Sequence, residues 1–107
     1  MDFAEFQQKI ATTYGPRDRR RGLDATFRRL VEEVGELARA LRHRDPRALE
    51  HEIGDVLAWT VSVAALAGAD AARAAGRYAA GCPKCGASPC RCVEDDAGAA
   101  GGGPSGR

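Results

Sequence analysis

Apolar side chains recur along most of this chain at intervals of three and four, the period of a helix that covers one face. Phe3, Phe6 and Ile10 open the pattern and Gly15-Pro16 stops it, which predicts a first helix over roughly residues 3 to 13 and an Arg-rich connector from Arg17 to Gly22. Asp24 can cap a second helix, whose stripe Phe27, Leu30, Val31, Val34, Leu37, Ala38 and Leu41 keeps the spacing over four turns. Asp45-Pro46 reads as an N-cap followed by the favoured first-turn proline, so the chain turns at His43 to Asp45 and starts a third, antiparallel helix. Its stripe, Leu49, Ile53, Val56, Leu57, Val61, Val63, Ala64 and Leu66, is too broad for a helix with a wide wet face, which makes it the central element, ending near Gly68. Asp70 can cap a fourth, Ala-rich helix running to about Ala80, and Gly81 closes the helical region.

The fold class is therefore all-α, a short antiparallel bundle of about four helices over residues 1–80. A Cys-rich segment (81–93) follows, then a tail (94–107) whose acids and glycines offer nothing apolar to bury and are expected to be disordered. At 107 residues the chain forms one thin core, since small domains bury only ~60% of their unfolded surface. Association or a metal staple is expected to complete it. Sixteen basic side chains against fifteen acidic ones leave no strong positive field for general nucleic-acid binding. No stretch of ~20 apolar residues occurs, and acids stand at the N-terminus where a signal peptide carries bases, so a cytoplasmic protein without a membrane segment is expected.

Two acidic motifs carry the chemistry, Glu33-Val34-Gly35-Glu36 and Glu52-Ile53-Gly54-Asp55. Residues three apart on a helix are side by side, so each motif puts two carboxylates on one flank. Like charges so placed repel, and with no Lys or Arg between them the compensating charge has to come from outside the helix. Mg²⁺, which takes oxygen ligands and keeps waters and phosphates in its shell, suits four acids facing one another across a helix pair. A single Glu-x-x-Glu is ordinarily a pair of solvated acids; two on adjacent helices, each with a helix-disfavouring Gly before the second acid, point to a metal site. Close approach of a neighbouring helix or a phosphate would account for Gly35 and Gly54.

The run Thr26 to Leu41 together with Glu52-Ile53-Gly54-Asp55-Val56-Leu57 resembles the MazG-like nucleotide pyrophosphohydrolases. These belong to the all-α NTP pyrophosphatase superfamily, with the dimeric dUTPases and phosphoribosyl-ATP pyrophosphohydrolase. The resemblance covers roughly residues 3 to 80. It implies Mg²⁺ on Glu33, Glu36, Glu52 and Asp55, a nucleoside triphosphate substrate, and water attack at the α-phosphorus that releases a nucleoside monophosphate and pyrophosphate. A homodimer or dimer of dimers is implied as well. Hydrolysis of dUTP, dCTP or phosphoribosyl-ATP would use the same acids, and a non-catalytic helical dimer working through its Cys segment is the reading from another class. The family often supplies Lys and Asn to the phosphates from its fourth helix; here Arg73 or Arg77 is the candidate substitute.

Trp59, on the side of the acids, is either a platform for a base or a large core residue. Arg17, Arg19, Arg20 and Arg21 either steer a polyanion or form a solvated loop. Glu32 faces another direction than Glu33, and His43 and His51 read as surface residues with no catalytic role. Cys82, Cys85, Cys90 and Cys92 have the ligand types of a tetrahedral Zn²⁺ site. The one-residue gap between Cys90 and Cys92 is tight, so a strained single-chain site and ligands shared between two chains both remain open.

Overall fold

The computed structural model describes residues 1–94. Among them it has four helices and no strand: α1 Phe3–Arg21, α2 Leu23–His43, α3 Pro46–Leu66 and α4 Ala71–Gly76. The chain divides into two compact units, Met1–Ala72 and Arg73–Arg107. The disorder expected of the tail concerns, from residue 95 on, positions outside the described residues.

In the first unit, α1 begins with a reciprocal cap. The Asp2 carboxylate accepts from the Glu5 N–H at 2.8 Å, and the Glu5 carboxylate accepts from the Asp2 N–H at 3.4 Å. Against expectation α1 does not stop at Gly15-Pro16; Pro16 lies inside the helix and the Arg-rich connector is its last turns. An interior proline costs roughly 3 kcal/mol. Here the ring is on the exposed side, where water can take the carbonyl it strands, and the turn beyond it is anchored by Asp18, which is buried. The stop comes at Gly22, whose φ of 88° few other residues adopt and whose N–H returns to the Asp18 carbonyl at 2.9 Å. Gly22 is also the N-cap of α2, so Asp24 is not the cap; it sits in the first turn, where its charge faces the positive end of the helix.

Arg44, at φ 54°, ends α2 with its N–H on the Ala40 carbonyl. Asp45 caps α3 through the Arg47 N–H at 3.1 Å, with Pro46 next to it, as the sequence predicts. α3 ends at Leu66 ahead of Gly68, and it is central in that it packs on both α2 and α1. The core joins Ile10, Val61 and Ala71, with Phe6, Ala58 and Ala64 around them.

α2 divides its stripe in two. Thr26, Leu30, Glu33, Leu37 and Ala40, spaced four, three, four and three, are covered or partly covered. Phe27, Val31, Val34, Ala38 and Leu41, one residue on, form a parallel seam that stays open, with Phe27 54% and Leu41 56% exposed. Ile53 and Leu57 of α3 are exposed too. Within one chain, the predicted core stripe is therefore only half used.

α4 is shorter than the predicted span to Ala80. With Gly76 and no large aliphatic side chain to pack, the helix gives way to turn bonds from Arg77, Tyr78 and Ala79 to carbonyls three residues back. Its first turn is tied to α1 by Gln7, whose side-chain carbonyl accepts from the Ala72 N–H at 3.0 Å while its amide donates to Asp70 at 3.4 Å.

Candidate functional site

Glu33 lies on the covered seam of α2, its side chain only 14% exposed, and meets Glu52 and Asp55 of α3. Burial and then the charges of Asp55 and Glu52 push its carboxyl above the usual range, and a hydrogen bond to Glu52 adds to this; Arg29 opposes it. Ligand atoms of His51, Glu52 and Asp55 stand within 4.8 Å of one another, with His51 Nε2 3.3 Å from the Asp55 carboxylate. Three of the four predicted acids thus come together. Glu36, one turn along α2, is exposed and does not join the contact.

The compensating charge does not come wholly from outside the helix. Arg29, four residues before Glu33 on α2, places Nη2 3.9 Å from its carboxylate and Nη1 3.1 Å from Glu32. Among the described residues, a Cβ built at Gly35 or Gly54 would meet nothing within 4 Å, so no neighbouring helix there explains either glycine.

Beside the acids is a cleft of about 330 Å³ lined by Arg17, Arg21, Arg29, Asp55 and Trp59 among others, at the small end of the ~300–1,000 Å³ range of ligand pockets. The Arg21 and Arg29 guanidiniums lie over the Trp59 ring, 4.8 and 5.1 Å from its centroid. Arg21 Nη1 also donates to Asp18 at 2.8 Å and to the Thr26 hydroxyl at 3.3 Å, and that hydroxyl donates to the Gly22 carbonyl at 2.7 Å. Asp18 is 5% and Thr26 0% exposed. Arg73 and Arg77, named from the sequence, belong to the second unit, where Arg77 lies 5.4 Å from the Tyr78 ring centroid. Arg29, Asp18 and the His51 contact escaped the sequence reading; the three- and four-residue spacings 18/21, 29/33 and 51/55 were the available signals.

In the second unit all four cysteine Sγ atoms lie within 4.8 Å of one another, so one chain brings the whole set together. Gly86, at φ 74°, turns the loop and gives its N–H to the Cys82 carbonyl at 2.7 Å. Gly81 is obligatory: at φ 106° a Cβ there would stand 3.0 Å from the Ala87 carbonyl oxygen. N–H groups of Cys85 and Lys84 bring the Cys82 thiol down to about 6, while the Cys90 and Cys82 sulfurs and burial push Cys92 up to about 12.

Fold and site together define a small helical domain that gathers carboxylates from two helices beside a cleft lined with arginine. Residues 21–80 match the MazG nucleotide pyrophosphohydrolase domain, and the chain belongs to that family. The family points to nucleotide pyrophosphohydrolase activity in general. Comparison with curated proteins gives no match.

Proposed function

We propose that this protein hydrolyses nucleoside triphosphates to nucleoside monophosphate and pyrophosphate, with Mg²⁺ held by Glu33, Glu36, Glu52 and Asp55. The observation that carries the reading is the meeting of Glu33 with Glu52 and Asp55, acids of two helices brought together with one of them largely covered. Such a cluster is unfavourable alone and becomes favourable around a hard cation. Glu36, exposed on the same helix, completes the set by a change of rotamer. When bound, the metal would neutralise phosphate charge, make a bound water more acidic and support the leaving pyrophosphate. Water adds its oxygen to the α-phosphorus, the bond from that phosphorus to the bridging oxygen breaks, and the proton of the water passes to a carboxylate or to the product. Asp55 faces both the acids and the cleft, and so orients the substrate between them.

The open seam of Phe27, Val31, Val34 and Leu41, next to Ile53 and Leu57, supports a homodimer in which a second copy covers this face. The four cysteines support a structural Zn²⁺. A Zn–S length of about 2.3 Å sets tetrahedral S···S edges near ~3.8 Å. Cys82 and Cys92 stand 3.7 Å apart, Cys85 and Cys90 3.9 Å. Thiols left free in this way suit a reducing cytoplasm.

The test is a panel of canonical and modified nucleoside triphosphates, dUTP, dCTP and phosphoribosyl-ATP included, scored for Mg²⁺-dependent pyrophosphate release. Wild type should act on at least one member, and Asp55→Asn should lower kcat by about 10²-fold or more, the equivalent of several kcal/mol. Equal activity in the two proteins would remove the acids from the reaction.

A further inference from the structure

We propose that Arg21 and Arg29 grip the terminal phosphates of the substrate, with Asp18 as the positioning residue that aims Arg21. The proposal deepens the hydrolase reading and rests on it for the identity of the substrate, though not for the binding of a polyphosphate chain.

Two guanidiniums lie over one indole ring, 4.8 and 5.1 Å from its centroid. Each keeps an acid at its back, Asp18 behind Arg21 and Glu32 behind Arg29, and both border the cleft. A planar guanidinium stacked on an aromatic ring has its fork of N–H donors fixed in direction, which is the geometry that grips phosphate oxygens in pairs. The site also has the right neighbour. Arg29 reaches Glu33, and Asp55 belongs to the cleft and to the acid cluster alike, so a chain whose α-phosphate lies at the acids extends its β- and γ-phosphates toward the arginines.

A helix-end ion pair with no further purpose is the plainer account of Asp18 and Arg21. Its burial argues against that account. A pair at a helix surface is worth little, and a pair withdrawn from water loses in desolvation most of what it gains in attraction. Asp18 is nearly sealed, and the Thr26 hydroxyl that shares Arg21 is wholly so. What such an arrangement secures is the direction of one side chain. Trp59 then serves as the backing on which the arginines lie.

Inorganic tripolyphosphate in EDTA isolates the arginines from the metal. Wild type should bind it in a calorimetric titration, Arg29→Ala should lose about tenfold in affinity and Arg21→Ala/Arg29→Ala about a hundredfold, the loss of one and two charge-assisted contacts. Arg39→Ala, an exposed change elsewhere on α2, should stay within about twofold. Arg21→Lys keeps the charge beside Asp18 should Arg21→Ala fail to fold, and should lose most of the affinity because the stacked fork is gone. In the hydrolysis assay Asp18→Asn should raise KM for the triphosphate about tenfold with kcat within about twofold, a split that loss of folded protein does not produce. Wild type that fails to bind tripolyphosphate at millimolar concentration, or a folded double variant that binds it as wild type does, overturns the proposal. Binding that follows the arginines in a protein that releases no pyrophosphate from any triphosphate overturns the hydrolase reading and leaves this one standing.

Discussion

The two units of this chain bring ligand groups together in opposite ways. The cysteine loop is complete in itself: four sulfurs from one short segment, backbone N–H groups turned onto them, and glycines at two positions of positive φ, of which Gly81 also leaves no room for a side chain. The helical unit is unfinished twice over. Its acids crowd without enough opposing charge, and the open apolar seam beside them has no cover among the described residues. A closed set of soft ligands suits a metal that holds structure, while an open set of hard ones suits a metal that shares its shell with substrate. Self-sufficiency and incompleteness are thus read from the same kind of observation, and only the second implies chemistry on something that arrives from outside.

The comparison breaks most visibly at the seam. Phe27→Asp should convert the proposed homodimer to monomer at micromolar concentration in light scattering, because a buried unpaired charge costs several kcal/mol at an interface. A dimer unaffected by that change places the contact elsewhere. Next in size is Cys85→Ser, which should take zinc from about one per chain to below about half and remove amide protection from residues 82–92, with hydrolysis within about threefold of wild type. Equal loss of activity and zinc would show that the cysteine unit is not self-contained in its role.

The smallest effect concerns Glu33. Its folded carboxyl holds a proton more tightly than the unfolded one, so its contribution to stability is present below the ordinary glutamate range and lost as pH rises through the raised value. In metal-free protein at pH 7, Glu33→Gln should therefore raise the melting temperature by about 2–5 °C, and the gain should vanish near pH 4. Mg²⁺ should narrow the gap by stabilising wild type alone. A melting temperature unchanged or lowered by the substitution at pH 7 would show that the acids are not crowded.

Much of the helical unit was legible, because Asp45-Pro46, Gly68 and the three-four spacing each have a local cause. Pro16 misled: proline disfavours a helix by about 3 kcal/mol locally, and the anchoring of Asp18 that outweighs it is a tertiary fact. The stripe of α2 marked an apolar surface without telling which half one chain can cover. The two acidic motifs were visible as spacing, and their convergence depended on Glu33 sharing the seam that faces α3, one residue away from the open one. Arg29 was hidden as an ordinary arginine among many. Its part emerges only when Trp59, thirty residues on, comes beneath it. The cysteines were recognisable by type, while the gathering of all four sulfurs within 4.8 Å of one another, across the tight gap between Cys90 and Cys92, is geometry that no spacing rule contains.

In the proposed reaction, carboxylates of α2 and α3 form one cation site that a polyphosphate completes. Calorimetric titration of Mn²⁺ into wild type and Glu52→Gln, each with and without a non-hydrolysable α,β-methylene triphosphate, tests it directly. Wild type should bind Mn²⁺ with an affinity that tightens about tenfold or more with the analogue, and Glu52→Gln should lose both the binding and the tightening. Mn²⁺ bound equally by the two proteins, or indifferent to the analogue, would contradict it.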